Sequence, residues 1–420
     1  MQFHDYSIIL RNRFHILVKM RIIALIFFLI SLPLGLFARN SPTKIASIPF
    51  QVVGSYIVVE IHINGSSPLN LILDTGVSYT IITELFKEDS LTIKYSEKSK
   101  LNGLGPNEEI MAYKSNGNNL SSGRMKMTNQ TVYVLEKDIF NLSRHVGFKI
   151  NGLIGSDFFE NKIVNIDYNK KKITFYENES FVAPRNYISV PLIMLGHRMF
   201  ISLPVTGPDW VTKDALMLLD TGAELSAWFR SYGENPIKIP SKKIRGYIGH
   251  GLNGEVYGDF GRIYMIKVGS HILYDPIVSF PDSVSISEAI FRTKREGTIG
   301  SQILSRFNLI FDQPNNKLYL KPNWNFKKPF SYNIAGIEVV EDDFNFQMPE
   351  VINVRVDSPG EHAGVKVGDR IYQINGLESF KTNINEMRKL FETSSKAPLR
   401  LVLLRGNQTV DVKIEMKSAL

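Results

Sequence analysis

One internal repeat constrains the fold of this 420-residue chain more than any other feature. Asp74 ends the run Leu-Ile-Leu-Asp before Thr-Gly, and Asp220 ends Met-Leu-Leu-Asp before Thr-Gly. An Ile-Gly-Ser motif follows each copy, with Gly155 placed 81 residues after Asp74 and Gly300 placed 80 residues after Asp220. A repeat of this length predicts two related domains rather than a solenoid of short units.

The repeat divides the chain into three predicted units after an N-terminal segment. The first lobe is expected at residues 42–180, the second at 185–325 and a different, smaller unit at 333–418. Short apolar-alternating runs broken by Gly, Asn and Pro, such as residues 56–63 before Asn64-Gly65, predict strands and hairpins. We therefore expect a mainly β protein.

Two Asp-Thr-Gly triplets suggest a pair of carboxyl groups that share one proton. Carboxylates a few ångströms apart cannot both ionise cheaply, so the ionised member can deprotonate water while the protonated member polarises a carbonyl. Thr75 and Thr221 can hydrogen-bond across a lobe interface, and Gly76 and Gly222 allow close backbone approach. A lone triplet is also compatible with a plain turn, but matched spacing in two copies favours catalysis.

These residues resemble the retropepsin-like aspartic peptidases, with both β-barrel lobes fused in one bilobal chain. The resemblance covers about residues 45–325 and implies that Asp74 and Asp220 are catalytic. It implies that the loops at Gly155 and Gly300 brace these aspartates. The glycine-rich turns are flap candidates or simple hairpins; their residues are Gly103 and Gly105 in the first lobe and Gly246, Tyr247 and Gly249 in the second.

Two departures from the pepsin-like pattern carry expectations. Val77 and Ala223 stand where pepsin-like enzymes usually have Ser or Thr, whose hydroxyl stabilises the ionised aspartate. Without those hydroxyls the pair should keep its proton to higher pH, giving an optimum less acidic than pepsin's, roughly pH 5–7. Glu224 is expected to form a structural interlobe ion pair rather than to act in catalysis.

The C-terminal unit carries the run Ser-Pro-Gly-Glu-His-Ala-Gly-Val at residues 358–365, then Gly368-Asp369 and Asn375-Gly376. This pattern resembles a PDZ domain, a β fold with two helices. The resemblance implies that Ala335, Gly336 and Ile337 hold the carboxylate of a C-terminal peptide tail added to a sheet edge. The alternative is a domain that keeps the fold and only packs against the peptidase.

Composition limits the possible environments and partners. The chain has no cysteine, which excludes disulfides, thiolate metal sites and a cysteine nucleophile, and an exported bacterial protein fits this better than an animal or plant one. The net charge of +8 is spread without a long basic run, so we expect no nucleic-acid binding. Residues 1–38 read as a signal peptide or an uncleaved anchor, because Lys19 and Arg21 precede a short apolar run at residues 22–37.

The sequence thus predicts an exported, periplasmic or extracellular aspartic endopeptidase, with membrane association if the N-terminal segment is retained. Its partners would be a peptide or protein substrate and peptide tails at the PDZ domain, and the fused repeat makes a monomer sufficient. No zinc helix, serine elbow or phosphate loop is present, so we expect neither a metal nor a cofactor. The competing hypothesis is a catalytically silent peptide-binding protein on the same folds.

Overall fold

The computed structural model describes residues 42–101, 110–233, 236–251, 254–286, 295–342 and 348–420. The predicted signal or anchor segment, residues 1–38, and the flap candidates Gly103 and Gly105 lie outside the described residues. Strands dominate the described part, as the sequence predicts for a mainly β protein. Among the described residues, no helix is long and apolar enough to cross a membrane.

The first half of the chain forms an eight-stranded sheet and contributes three strands to a second sheet. The eight-stranded order is β2-β3-β4-β9-β5-β8-β7-β6, and an added pairing of β3 with β7 closes its centre into a six-stranded barrel. The elements are β1 (Lys44–Pro49), β2 (Gln51–Val53), β3 (Tyr56–Ile63), β4 (Leu69–Leu73), β5 (Thr80–Ile82), β6 (Glu97–Leu101), β7 (Ile110–Ser122), β8 (Met125–Leu135), α1 (Leu142–Val146), β9 (Gly152–Ile154), a 3-10 helix (Ser156–Phe159), β10 (Ile163–Asp167) and β11 (Lys172–Tyr176).

The second half repeats this plan, with its main path running β17-β18-β21-β16-β22-β15-β14-β19-β20 and β13 paired to β14. The elements are β12 (Ile188–Pro191), β13 (Ile193–Leu195), β14 (Arg198–Thr206), β15 (Thr212–Leu219), β16 (Ala227–Phe229), β17 (Lys243–Gly251), β18 (Gly254–Arg262), β19 (Met265–Val268), β20 (His271–Tyr274), β21 (Ile277–Pro281), a 3-10 helix (Ser283–Ser285), β22 (Gly297–Ile299), α2 (Ser301–Leu304), β23 (Phe307–Asp312) and β24 (Lys317–Pro322).

The two halves use the same strand pairings around the repeated motifs. Strand β4 lies parallel to β9, with Leu73 opposite Ile154, and β15 lies parallel to β22, with Leu219 opposite Ile299. In each half the second strand of that pair also has an antiparallel neighbour, β5 or β16. The repeated sequence therefore corresponds to a repeated topology, and each aspartate follows the last residue of an equivalent strand.

One six-stranded sheet joins the two halves, in the order β1-β11-β10-β23-β24-β12. Its central pair is β10 with β23, antiparallel, with Val164 opposite Phe311. One apolar core runs through both halves, and the rings of Phe159 and Phe311 meet across them at 4.9 Å between centroids. Because fully burying such a side chain contributes about 1.5–3 kcal/mol, this shared core fixes the relative position of the two lobes.

The C-terminal unit has a core of its own, built only from residues between Ile334 and Met416. Its sheet order is β25-β26-β27-β29-β30, so β25 is an edge strand. The side chain of Asn383 caps the longer helix by accepting from the Glu386 N–H. The elements are β25 (Ile337–Val340), β26 (Glu350–Val354), α3 (Pro359–His362), β27 (Arg370–Ile374), β28 (Leu377–Glu378), a 3-10 helix (Ser379–Lys381), α4 (Ile384–Glu392), β29 (Leu399–Arg405) and β30 (Gln408–Ile414).

Candidate active site

Asp74 and Asp220 leave their strands through identical hydrogen bonds. The N–H of Asp74 donates to Ile154 O at 3.0 Å, and the N–H of Asp220 donates to Ile299 O at 3.0 Å. In each case the acceptor is the residue immediately before the glycine of the Ile-Gly-Ser motif. The neighbouring parallel strand therefore fixes the backbone position of each aspartate, and the two aspartates have equivalent backbone surroundings.

The two threonines bind each other across the lobe interface, as their position predicts. The Thr75 N–H donates to Thr221 Oγ1 at 3.2 Å, and the Thr221 N–H donates to Thr75 Oγ1 at 3.1 Å. Each hydroxyl then donates to a backbone carbonyl of the other lobe, Thr75 to Leu219 O at 2.7 Å and Thr221 to Leu73 O at 2.6 Å. Both threonines are buried, so four hydrogen bonds hold the two aspartate loops against each other.

The triplet glycines bring the two carboxyl groups together. A Cβ on Gly76 would lie 2.5 Å from Asp220 Oδ2, and a Cβ on Gly222 would lie 2.3 Å from Asp74 Cγ. Each glycine N–H also donates to its own aspartate, at 2.8 Å for Gly76 to Asp74 Oδ1 and 2.9 Å for Gly222 to Asp220 Oδ1. Each carboxyl group thus packs on the backbone of the opposite triplet, where no other residue fits.

Gly155 and Gly300 lie against the loops that follow the triplets. A Cβ on Gly155 would come 2.5 Å from Tyr79 N, and one on Gly300 would come 2.2 Å from Leu225 O. The next residues bond back to these loops, since Ser156 N donates to Val77 O at 2.9 Å. In the second lobe Ser301 N donates to Ala223 O at 2.8 Å. These contacts place both glycines where a bracing role requires them.

Burial and mutual proximity raise the pKa of both carboxyl groups. Removal from water raises the pKa of Asp74 well above its ordinary value, and the neighbouring Asp220 raises it further. Burial also raises the pKa of Asp220, but its hydrogen bond with Asp74 and the positive charge of Arg295 oppose that rise. The buried pair therefore favours holding one shared proton.

The positions beside the triplets carry no hydroxyl, as the sequence shows, but their backbones contribute. The N–H groups of Val77 and Ala223 bond to Asp74 and Asp220 respectively and lower the pKa of each. Glu224 contacts the other lobe through Ser55, whose hydroxyl donates to Glu224 Oε1 at 3.0 Å. Among the described residues Glu224 forms no ion pair, and its interlobe contact is made instead with a neutral hydroxyl.

The second-lobe flap candidates lie on the hairpin of β17 and β18. Gly246 and Tyr247 pair with β18, opposite Gly258 and Tyr257, and Gly249 follows an irregularity in the register. The hairpin lines a cavity of about 330 Å³ that also reaches Asp220. The structure therefore brings these candidates to the site, whereas Gly103 and Gly105 lie outside the described residues.

The cavity extends from Asp220 to the C-terminal unit. Its lining includes Tyr56 from the first lobe, Trp228 from the second, and Gly336, Arg355 and Arg388 from the C-terminal unit. Sequence reasoning missed the two arginines, because no local motif signals that residues so far along the chain line the same cavity as Asp220. The predicted peptide-binding loop and the predicted catalytic site thus share one cavity.

Two of the three predicted carboxylate-binding N–H groups already have internal acceptors. The Ala335 N–H donates to Phe391 O at 3.0 Å, and the Gly336 N–H donates to Asn333 Oδ1 at 2.8 Å. Ile337 begins β25, and its carbonyl accepts from Asn333 Nδ2 at 2.8 Å. In this conformation the loop therefore does not offer the three free donors that tail capture needs.

One further group of side chains could in principle hold a cation. Among the described residues, Asp357, Glu361 and His362 place potential ligand atoms within 4.8 Å of one another, and all three are exposed. The carboxylate of Glu361 is already used, because it accepts from the Asp357 N–H at 2.7 Å. Exposed clusters of this kind are common without a metal, so the group is not counted as part of the site.

Comparison with known proteins places these features in two families. Residues 59–158 match a family model described as Aspartyl protease, and residues 350–405 match one described as PDZ domain. The comparison with curated proteins gives no match. Among solved structures, the crystal structure of an aspartic proteinase from Irpex lacteus is similar at 12% identity and a TM-score of 0.39, over 67% of this chain and 98% of that chain.

The first match contains Asp74 and Gly155, and the second begins at Glu350, after the predicted loop at residues 335–337. The second lobe lies outside both matches and is linked to the first by its repeated motifs and strand pairings. The predicted resemblance and the mainly β fold class are both confirmed. The chain therefore joins a retropepsin-like aspartyl protease domain to a C-terminal PDZ domain.

Proposed function

We propose that this protein is an aspartic endopeptidase in which Asp74 and Asp220 form the catalytic pair. The observation that carries the proposal is the apposition of the two triplets, in which each carboxyl group packs on the glycine of the other lobe. The crossed threonine hydrogen bonds hold that arrangement. A structural turn would not require two carboxyl groups to be desolvated beside each other, because burying charge without a use is costly.

The reaction would proceed by general acid–base catalysis on one bound water. The ionised carboxylate of the pair takes a proton from the water as the water oxygen bonds to the peptide carbonyl carbon, and the protonated carboxyl group gives its proton to the carbonyl oxygen. In the tetrahedral intermediate so formed, a carboxyl proton passes to the amide nitrogen, the C–N bond breaks, and a hydroxyl of the intermediate returns its proton to the other carboxylate. The products are a carboxylic acid and an amine, and the pair again holds one proton.

The substrate would be a peptide or protein, because a pair of carboxyl groups that shares one proton is suited to amide hydrolysis. The hairpin carrying Tyr247 would cover the bound peptide. The PDZ domain supports a role in binding peptides or proteins, and its loop Ala335–Ile337 would have to exchange its internal partners before it could hold a tail. We also propose that the protein is exported. Only the composition of residues 1–38 supports this proposal.

The test is cleavage of a peptide library by Asp74→Asn and Asp220→Asn, with pepstatin as a transition-state analogue. Asn keeps the shape of Asp and removes the titrating group, so we expect turnover to fall about 10²–10⁴-fold in each variant. The matched control is Asp214→Asn, an exposed aspartate on the same strand β15, which should cleave like the wild type.

Cleavage that survives both substitutions would refute the assignment of the pair. Absence of any cleavage by the folded wild-type protein, together with peptide binding, would favour the alternative of a catalytically silent binding protein. Circular dichroism and thermal melting of all four proteins exclude misfolding as the cause of a loss.

A further inference from the structure

The peptide groove of the PDZ domain lies between the edge strand β25 and the helix α4. Side chains already bind the edge of β25 that has no neighbouring strand. Its outward-facing backbone positions alternate along the strand and include Ile337, Val339 and, just beyond the strand, Glu341. The three carbonyls accept from side chains: Asn333 at 2.8 Å, Arg388 at 2.8 Å and Arg144 at 2.8 Å respectively. An added peptide strand needs these same groups.

The third of these partners belongs to the first protease lobe. Besides its side-chain bond, Arg144 accepts at its backbone carbonyl from the Glu341 N–H at 2.9 Å. Arg144 therefore occupies both backbone groups of Glu341, one residue past the end of β25, and an incoming peptide could not pair with those groups without displacing it. Arg144 also forms a salt bridge with Glu350 on β26, at 3.1 Å.

The helix side of the groove holds the same segment of lobe one. Asn385 Nδ2 donates to Val146 O at 3.0 Å. Gly147, with a left-handed φ of 69°, lies so close to α4 that a Cβ there would be 2.4 Å from Ile384 Cγ2. The segment Leu142–Gly147, hereafter the docking segment, therefore contacts both walls of the groove.

We infer that the ligand of this PDZ groove is the chain's own docking segment, an internal stretch without a free carboxylate, and that this docking holds the β17–β18 hairpin over the aspartates. The part of this inference that concerns the aspartates rests on the proposed function. The occupant of the groove is assigned independently, from the contacts of Arg144, Val146 and Gly147.

The hairpin is held between the docking segment and the PDZ domain. At its tip, the ring of His250 lies 6.0 Å from Phe140 and 6.5 Å from His145, between centroids. Along its second strand, Tyr257 Oη accepts from Asn353 Nδ2 of β26 at 3.0 Å. The hairpin also lines the cavity that reaches Asp220, so it cannot lift from that cavity without breaking contacts to both neighbours.

The contacts between the docking segment and the PDZ domain can be replaced by contacts to a competing peptide. The PDZ core draws its members only from residues 334–416, and the core shared by the two lobes includes none of them. The docking is made chiefly by hydrogen bonds and one partly exposed salt bridge, which contribute modestly to stability because water competes for them. A peptide that mimics the docking segment can therefore compete for the groove in the folded protein.

The test uses the full chain and a fluorescent, C-terminally amidated peptide of residues 140–149. Arg144→Ala weakens the docking segment and leaves the groove intact, so we expect the peptide to bind this variant about tenfold more tightly than the wild type. Asn385→Ala removes a groove contact, so this variant should bind the peptide more weakly than Arg144→Ala. Both variants should increase hydrogen exchange at the Glu341 amide, which Arg144 O protects in the wild type.

The difference in peptide affinity between the two variants separates docking from general damage, which would change the affinity of both alike. Arg124→Ala in lobe one and Lys389→Ala on α4 are exposed controls and should behave like the wild type. Equal peptide affinity for Arg144→Ala and wild type would overturn the inference. So would unchanged exchange at Glu341 in either variant, or markedly tighter binding of the same peptide with a free carboxylate.

Cleavage of a quenched peptide substrate is the second readout, and we expect both groove variants to cleave faster than the wild type. Unchanged cleavage with the expected binding pattern would overturn the control of the hairpin. If no protein cleaves any substrate while the binding pattern holds, the proposed function fails and the assignment of the groove stands.

Discussion

Positions 76 and 222 each face the carboxyl group of the opposite lobe, which makes them the most demanding single residues of the site. Replacing Gly222 by Ala puts a Cβ only 2.3 Å from Asp74 Cγ. The carboxyl group must move, and a displacement of about 1 Å in a catalytic group can cost roughly 10²-fold in rate. We therefore expect Gly222→Ala to lower kcat/KM about 10²-fold or more and to lose about 1–3 kcal/mol of stability from overpacking.

The matched control for this prediction is Gly207→Ala. A Cβ at Gly207 would meet only the end of the Asp209 side chain at 3.0 Å, which can swing away. Steady-state kinetics and thermal melting of the two variants distinguish the site from a general intolerance of alanine. A Gly222→Ala enzyme with wild-type kinetics would contradict the close packing of the two triplets.

At this scale the sequence was most informative where the chemistry is local. The triplets identify Asp74 and Asp220 because the supporting threonine and glycine are adjacent in the chain. Partners supplied by distant residues could not be predicted: Glu224 meets Ser55, and the Ala335 N–H meets Phe391 O. Each depends on how two loops pack, and no spacing in the sequence encodes that.

Between single residues and whole domains, the linker from β24 to the PDZ domain is held by one buried arginine. Arg306, 5% exposed, donates through its guanidinium to the carbonyls of Asn325, Phe326, Lys328 and Pro329. Its cation also lies 3.9 Å from the ring centroid of Phe330. This single side chain therefore gives a segment without regular secondary structure a fixed path.

Arg306→Met should destabilise the protein by about 1–3 kcal/mol, because it removes the donor shared by several partly buried carbonyls. It should also expose the linker to trypsin after Lys327, since Pro329 blocks cleavage after Lys328. The measurements are the melting temperature and the rate of limited proteolysis. Arg262→Met is the control, since that guanidinium donates to one carbonyl, Asp275 O, at 2.9 Å. Equal proteolysis of the linker in both variants would contradict the role of Arg306.

Among elements, prediction succeeded where a periodic pattern and a turn signal coincide. The β3 strand ends at Ile63, and Asn64 and Gly65 both adopt the left-handed conformation that their sequence suggests, with φ of 52° and 79°. Helix α4 begins after Asn383, a residue type that favours the N-cap position. The short helix α1 has no such signature, and its importance comes from the PDZ surface it meets.

The molecule has two kinds of interface: a rigid one between the two lobes, and one between the lobes and the PDZ domain whose contacts can be exchanged. The two lobes share a core and a six-stranded sheet, so the pair of aspartates is assembled within one chain. The PDZ domain has a separate core and meets the lobes through polar contacts around His145, His250 and Arg388. Tertiary arrangements of this kind were beyond sequence reasoning, because the residues that meet are about 200 positions apart.

This polar joint should respond to acid. Burial, together with the positive charge of Arg388 and the nearby His250 and Arg144, lowers the pKa of His145 to about 4. Burial also lowers the pKa of His250. The unfolded chain binds a proton at His145 near pH 6.5, above the folded value, so the stability contributed by neutral His145 is full above about pH 6.5 and is lost progressively toward pH 4.

We expect the free energy of unfolding of the wild type to fall between pH 6.5 and 4 by up to about 3 kcal/mol more than that of His145→Gln, at about 1.4 kcal/mol per pKa unit. Urea denaturation at several pH values measures this difference, and His362→Gln, an exposed histidine, is the control. Hydrogen exchange at the Glu341 amide should rise over the same pH range in the wild type, because the positive charge of Arg388 would repel a charged His145 in the docking segment. Parallel pH profiles for wild type and His145→Gln would contradict this coupling.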